Sequence, residues 1–137
     1  MTRGSIFVVA SFAGWLALAP PIQAHHPVGE VYDEERTVTL EGEISALLIG
    51  NPHSVVHLTV SEPGGGDHTW AVEWRPGPQL ERQGWGTNAL HPGDRVRICG
   101  HPGRDPGAFR LYLRTLTHLA TGRTAVSSTG NDAAPCD

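Results

Sequence analysis

One hairpin constrains this chain more than any other feature. Residues 53–61 (HSVVHLTVS) and 68–74 (HTWAVEW) each alternate apolar and polar side chains, and Pro63-Gly64-Gly65-Gly66-Asp67 separates them. A period of two buries one face of a strand and wets the other, and a Pro/Gly cluster forces the chain to turn. A symmetric turn sets Val60 opposite Trp70, Leu58 opposite Val72 and Val56 opposite Trp74. All three pairs are apolar, so the register agrees with the pattern. The same register puts His57 opposite Glu73 on the outer face, as a weak ion pair or half of an acid/base site.

Three further runs share the alternation. Residues 37–48 carry Val38, Leu40, Gly42 and Ile44 on one face. Residues 95–100 turn Val96 and Ile98 inward. Residues 108–118 turn Phe109, Leu111 and Leu113 inward. Between the third and fourth runs, 76–84 (PGPQLERQG) reads as a short helix anchored by Leu80. With 17 Gly and 11 Pro, the composition suits a turn-rich β protein better than a helical bundle. Three strands, a helix and two strands is the element order of an OB-fold barrel. The fold class expected is therefore all-β, a five-stranded OB-fold-like barrel with one short helix between strands three and four. A flat sheet leaves Trp70, Trp74 and Phe109 wet. Burying one such ring is worth roughly 2–3 kcal/mol, which favours closure.

Four segments follow. Residues 1–24 read as a signal peptide: Arg3, an apolar run from Ile6 to Ala19, the breaker Pro20-Pro21, and small Ala24 at the cut. The run is too short to span a bilayer, which needs about 20 residues, so no membrane span is expected after cleavage. Residues 25–36 form a polar N-terminal arm, 37–119 the barrel domain, and 120–137 a polar tail, flexible unless stapled. The expected location is periplasmic or secreted. In an oxidising compartment Cys99 and Cys136 either pair, pinning the tail, or leave a half-buried Cys99 and a loose Cys136.

Cleavage after Ala24 makes His25 the first residue, with its α-amine and imidazole both able to donate to one metal. With His26 or His53 as third ligand, this is a three-nitrogen site of the kind Cu(II) prefers, and zinc less so. The alternative is a plain polar terminus. For His53 the alternative is a structural role in the Asn51-Pro52 bend. His53 and His57 share a face but lie about 13 Å apart at roughly 3.3 Å per residue, too far to share one ion. His68, His91 and His101 fall in Gly/Pro turns and are expected in solvent. Arg95, Arg97, Arg110 and Arg114 around Tyr112 are expected on a solvated outer face with scattered acids nearby, the alternative being an oligonucleotide or anionic-glycan surface. A formal net charge of −4, one unit lower once Arg3 is removed, opposes nucleic-acid binding. No hydrolase, metalloprotease or phosphate-loop motif occurs.

Taken in order, His25-His26, Val31-Tyr32-Asp33, Asn51-Pro52-His53, Trp70-Ala71-Val72-Glu73, Leu80-Glu81-Arg82-Gln83-Gly84-Trp85 and Pro92-Gly93-Asp94 resemble the small exported bacterial proteins of domain-of-unknown-function family 6152. The resemblance runs over about 25–120. His57, Cys99 and the Cys-bearing tail depart from the usual pattern. It implies a periplasmic OB-like barrel and no particular activity. The expected function is a non-catalytic binding or accessory module with an unidentified ligand or protein partner. The alternatives are a copper-binding protein built on His25 with His26 or His53, and a small hydrolytic or redox enzyme.

Overall fold

The computed structural model describes residues 27–127 and residue 136. The elements run α1 (Val28–Val31), β1 (Val38–Leu48), β2 (Ser54–Ser61), β3 (Asp67–Trp74), α2 (Gly77–Arg82), β4 (Arg95–Pro102), a 3-10 turn (Pro106–Ala108), β5 (Arg110–His118) and β6 (Thr124–Val126). The strands lie in the order β3-β2-β1-β4-β5-β6, and β3 also pairs with β5 in parallel. That last pairing, Ala71 with Arg110 through Glu73 with Tyr112, closes five strands into a barrel and removes their free edges. The all-β, OB-like expectation holds.

Alternation does the work inside. Ile44, Val56, Leu58, Val72, Trp74, Val96, Ile98, Leu111 and Leu113 are all buried in one core. Leu80 on α2 and Trp85 just after it join this core, and the Trp74 and Trp85 rings meet edge-on at 6.0 Å. Arg123 stacks its guanidinium over Trp85 at 4.2 Å and donates to the carbonyl of Gly84 at 2.8 Å, which holds the helix end in place.

Glycine sits where the backbone of a neighbouring strand leaves no room for a side chain. A Cβ at Gly100 would collide with the carbonyl oxygen of Tyr112, at a register shift between β4 and β5. Gly100→Ala is expected to lower stability by about 1–3 kcal/mol, the range for overpacking. An unchanged urea midpoint would show that the seam relaxes freely.

The hairpin register differs from the expected one by two residues. Val56 pairs with Val72, Leu58 with Trp70, and Val60 with His68. The turn is centred one residue earlier than expected: Glu62 belongs to it, donating its N–H to the carbonyl of Gly66 at 2.9 Å, while Asp67 opens β3. A shift of two preserves which face each side chain occupies, so the core survives. It also moves His57 opposite Ala71, so the expected His57–Glu73 pair does not form.

Phe109 is no part of β5. It sits in the left-handed region at φ 45°, half-buried, with Trp70 edge-on at 5.5 Å and the His68 ring stacked at 4.3 Å. Beyond residue 119, β6 pairs with β5 and buries Ala125, so this stretch of the tail is ordered structure. Cys99 and Cys136 form a disulfide, the first of the two outcomes the sequence left open. Arg75 adds a clasp, donating from Nε to Ser127 Oγ at 3.0 Å and from Nη2 to the Ser127 carbonyl. Among the described residues, no helix is long and apolar enough to cross a membrane.

Candidate functional site

The β3–β5 seam carries a polar knot on its outer side. Glu73 follows Val72 along β3, so its side chain points away from the core. Three segments distant in sequence reach it. Tyr32 donates its hydroxyl to Oε2 at 2.6 Å. His53 brings Nδ1 to 2.9 Å from Oε1. Arg110 places Nη2 3.7 Å from Oε2, with its guanidinium 5.6 Å from the centre of the Tyr32 ring. Each arrives for a local reason. Tyr32 follows α1, and its bridge to Gly103 fixes it beside β4. His53 emerges from the Asn51-Pro52 bend and leads into β2. Arg110 opens β5 opposite Ala71.

Tyr32 is 2% exposed, although the segment around it is largely polar. Its ring meets that of Tyr112 at 5.5 Å. Burial pushes its hydroxyl well above the ordinary tyrosine range, and the Glu73 carboxylate pushes the same way, with Arg110 opposing. The fold therefore favours the neutral hydroxyl. That contribution is complete below about pH 10, where an unfolded tyrosine titrates, and drains away as pH rises beyond it. Denaturation midpoints are expected to fall above about pH 10, and to fall less steeply in Tyr32→Phe. Identical slopes would contradict this coupling.

A cavity of about 260 Å³ opens nearby at the mouth of the barrel, with Trp70, Arg36, Arg104 and Arg110 among its walls. Arg110 therefore lines the cavity and joins the knot. On another face Arg95 and Arg97 share Glu41, at 3.2 and 3.0 Å. The Arg97 hydrogen bond, aided by Arg95, holds the Glu41 carboxyl below its usual range. These two arginines fit the solvated, acid-matched surface expected of them.

Of the three expected metal ligands, His25 and His26 lie outside the described residues. His53 is described, and its Nδ1 is engaged by Glu73. Among the described residues no group of three or more His, Cys, Asp or Glu side chains is arranged to hold a metal ion. His101 corrects another expectation. It is 3% exposed within β4, with Nδ1 2.7 Å from the carbonyl oxygen of Arg36, because the strand runs two residues further than the pattern suggested. His68 and His91 are exposed as expected. His118 sits 3.6 Å from Asp94 and 2.8 Å from the Thr121 hydroxyl.

Sequence reasoning missed Glu73 as a hub, together with Tyr32 and Arg110. One signal was present: Tyr32, His53 and Glu73 each fall in a separate motif of the ordered set, and the fold brings the first two to the carboxylate of the third.

A closed five-strand barrel, with α2 between its third and fourth strands and a knot on the closing seam, defines a small OB-like β-barrel protein. A family model described as a family of unknown function (DUF6152) matches residues 14–111, well over half of the chain, and the chain belongs to that family. The match includes all four knot residues and stops short of β6 and Cys136. No curated protein matches the chain.

Proposed function

We propose that this protein is an exported, non-catalytic binding module that holds a small ligand at the arginine-lined mouth of its barrel. The observation that carries this reading is the cavity lined by Trp70 together with three arginines, Arg36, Arg104 and Arg110. Binding sites combine apolar walls with a few converging polar groups, and barrel mouths are common places for them. Glu73, committed to Tyr32, His53 and Arg110, acts as a strut that fixes the closing seam beside this mouth. Both cysteines are oxidised, so neither thiol serves as a nucleophile. The leader-like residues 1–24 support export, and so does the disulfide, since such bonds persist in oxidising compartments.

The test is a small-molecule screen on the purified, oxidised protein, read by thermal shift and by the Trp70 indole N–H resonance. A ligand that raises the melting temperature and moves that resonance is the expected result. A broad screen in which no compound moves it overturns the reading.

A second reading is copper binding by His25 with His26 or His53. One observation favours it: a carboxylate holding the Nδ1 side of an imidazole is the outer-shell arrangement that orients metal-bound histidines. N-terminal sequencing of the exported protein should find His25 first. Cu(II) titration should then give a visible d–d band that His25→Ala abolishes, and His53→Ala tells whether His53 or His26 is the third ligand. A different first residue, or a band indifferent to His25→Ala, ends this reading.

A further inference from the structure

The barrel mouth carries a charge balance opposite to that of the chain. The protein has a formal net charge of −4, yet three of its arginines, Arg36, Arg104 and Arg110, line this cavity with a single acid, Asp105. Asp105 Oδ1 accepts from the backbone N–H of Gly107 at 2.9 Å, which turns one of its oxygens toward its own turn. A different concavity, lined by Glu41, Glu43, Asp67 and Arg95, has the reverse balance. The lining itself thus holds three arginines to one acid, with Asp33 and Glu73 standing just outside it, 4.0 Å from Arg36 and 3.7 Å from Arg110.

Among the described residues, the guanidinium groups there are engaged only in part. Arg104 donates from Nε to the carbonyl of Gly29 at 2.8 Å. Arg36 reaches Asp33 through Nη1 at 4.0 Å, and Arg110 reaches Glu73 through Nη2 at 3.7 Å. Each of these contacts uses one nitrogen of a fork that carries five N–H donors. Trp70 adds a separate sign: its buried indole N–H meets no acceptor among the described residues. Buried donors are normally satisfied, so this N–H is an unmet donor on a residue that also lines the cavity. Apolar surface is present too, from the Trp70 ring with Pro102 and Pro106.

We infer that the mouth is a site for a small oxyanion carried on an apolar ring, an inference that rests on the binding-module reading and names its ligand class. The planar guanidinium fork matches a carboxylate or phosphate edge through paired hydrogen bonds. The ring lies against Trp70 and the prolines. The ligand is small, because about 260 Å³ falls below the roughly 300–1,000 Å³ of sites for drug-sized molecules.

Four probes of similar shape test this on the purified, oxidised protein: benzoate, phenyl phosphate, benzamide and benzylamine. Binding is read from the Trp70 indole resonance, with Trp70→Phe to assign it. Benzoate or phenyl phosphate is expected to bind at least about tenfold more tightly than neutral benzamide, given the strength of charge-assisted hydrogen bonds. Which of the two anions binds better distinguishes a carboxylate site from a phosphate site. Arg104→Gln should weaken the anion about tenfold. Should that variant disturb α1, salt gives a second readout: at about 1 M ionic strength, where charges are screened beyond about 3 Å, the anion's advantage should shrink. Benzamide or benzylamine binding as tightly as the anions overturns the oxyanion inference while leaving the mouth a binding site. Silence from all four overturns the inference as well, and the broad screen then decides the binding-module reading.

Discussion

Replacing Cys99 and Cys136 together by alanine lowers the unfolding free energy by about 4 kcal/mol. The bridge joins residues 37 apart, and the chain-entropy cost of closing a loop of that length gives this magnitude. A small domain has only about 5–15 kcal/mol to lose, so the variant should melt far lower. Alanine suits the test because Cys99 is 4% exposed, where serine would add an unmet hydroxyl. Urea unfolding of the oxidised protein and the double variant measures the difference. A change below about 1 kcal/mol would mean that β6 and the Arg75 clasp on Ser127 hold this end of the chain without the bridge.

The second large effect centres on Glu73. Glu73→Ala strips the acceptor from a buried tyrosine hydroxyl and removes the carboxylate that faces His53 and Arg110. Orphaning one partner of a fully buried pair costs about 3–5 kcal/mol. Here the carboxylate retains 22% exposure, so about 2–3 kcal/mol is expected. Glu73→Gln, which keeps an acceptor for Tyr32 but no charge, should lose roughly half as much. A double-mutant cycle with Tyr32→Phe isolates the hydroxyl–carboxylate term and should show coupling of at least about 0.5 kcal/mol. Strict additivity would detach Tyr32 from Glu73.

The barrel was legible because its signal is binary. Val56, Leu58 and Val72 announce an inward face whatever the register, and an error of two residues leaves that face intact. The knot was hidden for the same reason. Whether Glu73 lies beside His57 or within reach of His53 depends on which residue opens the turn, and Glu62 carries no strong preference to mark it. Tyr32 lies in a segment whose polar neighbours mask it, and only the Gly103 bridge reveals why it is buried. His101 stands between Gly100 and Pro102, which look like a turn in one dimension, although the barrel continues a strand through both. Phe109 keeps the expected alternation in sequence, but its left-handed backbone removes it from the strand. Cysteine pairing was limited differently: two thiols permit a bridge, and only the path of the chain brings position 136 back to β4.

The β2–β3 turn has a practical side. Gly64, Gly65 and Gly66 all adopt positive φ, and a Cβ built at any of them meets nothing within 4 Å. None of these three glycines lines the arginine cavity. A short peptide epitope or a dye-bearing linker spliced in there should leave the ladder that ends at Ser61 and Asp67 undisturbed. The protein thus offers a ready handle for immobilisation or fluorescence labelling at a turn whose glycines are no part of the cavity lining.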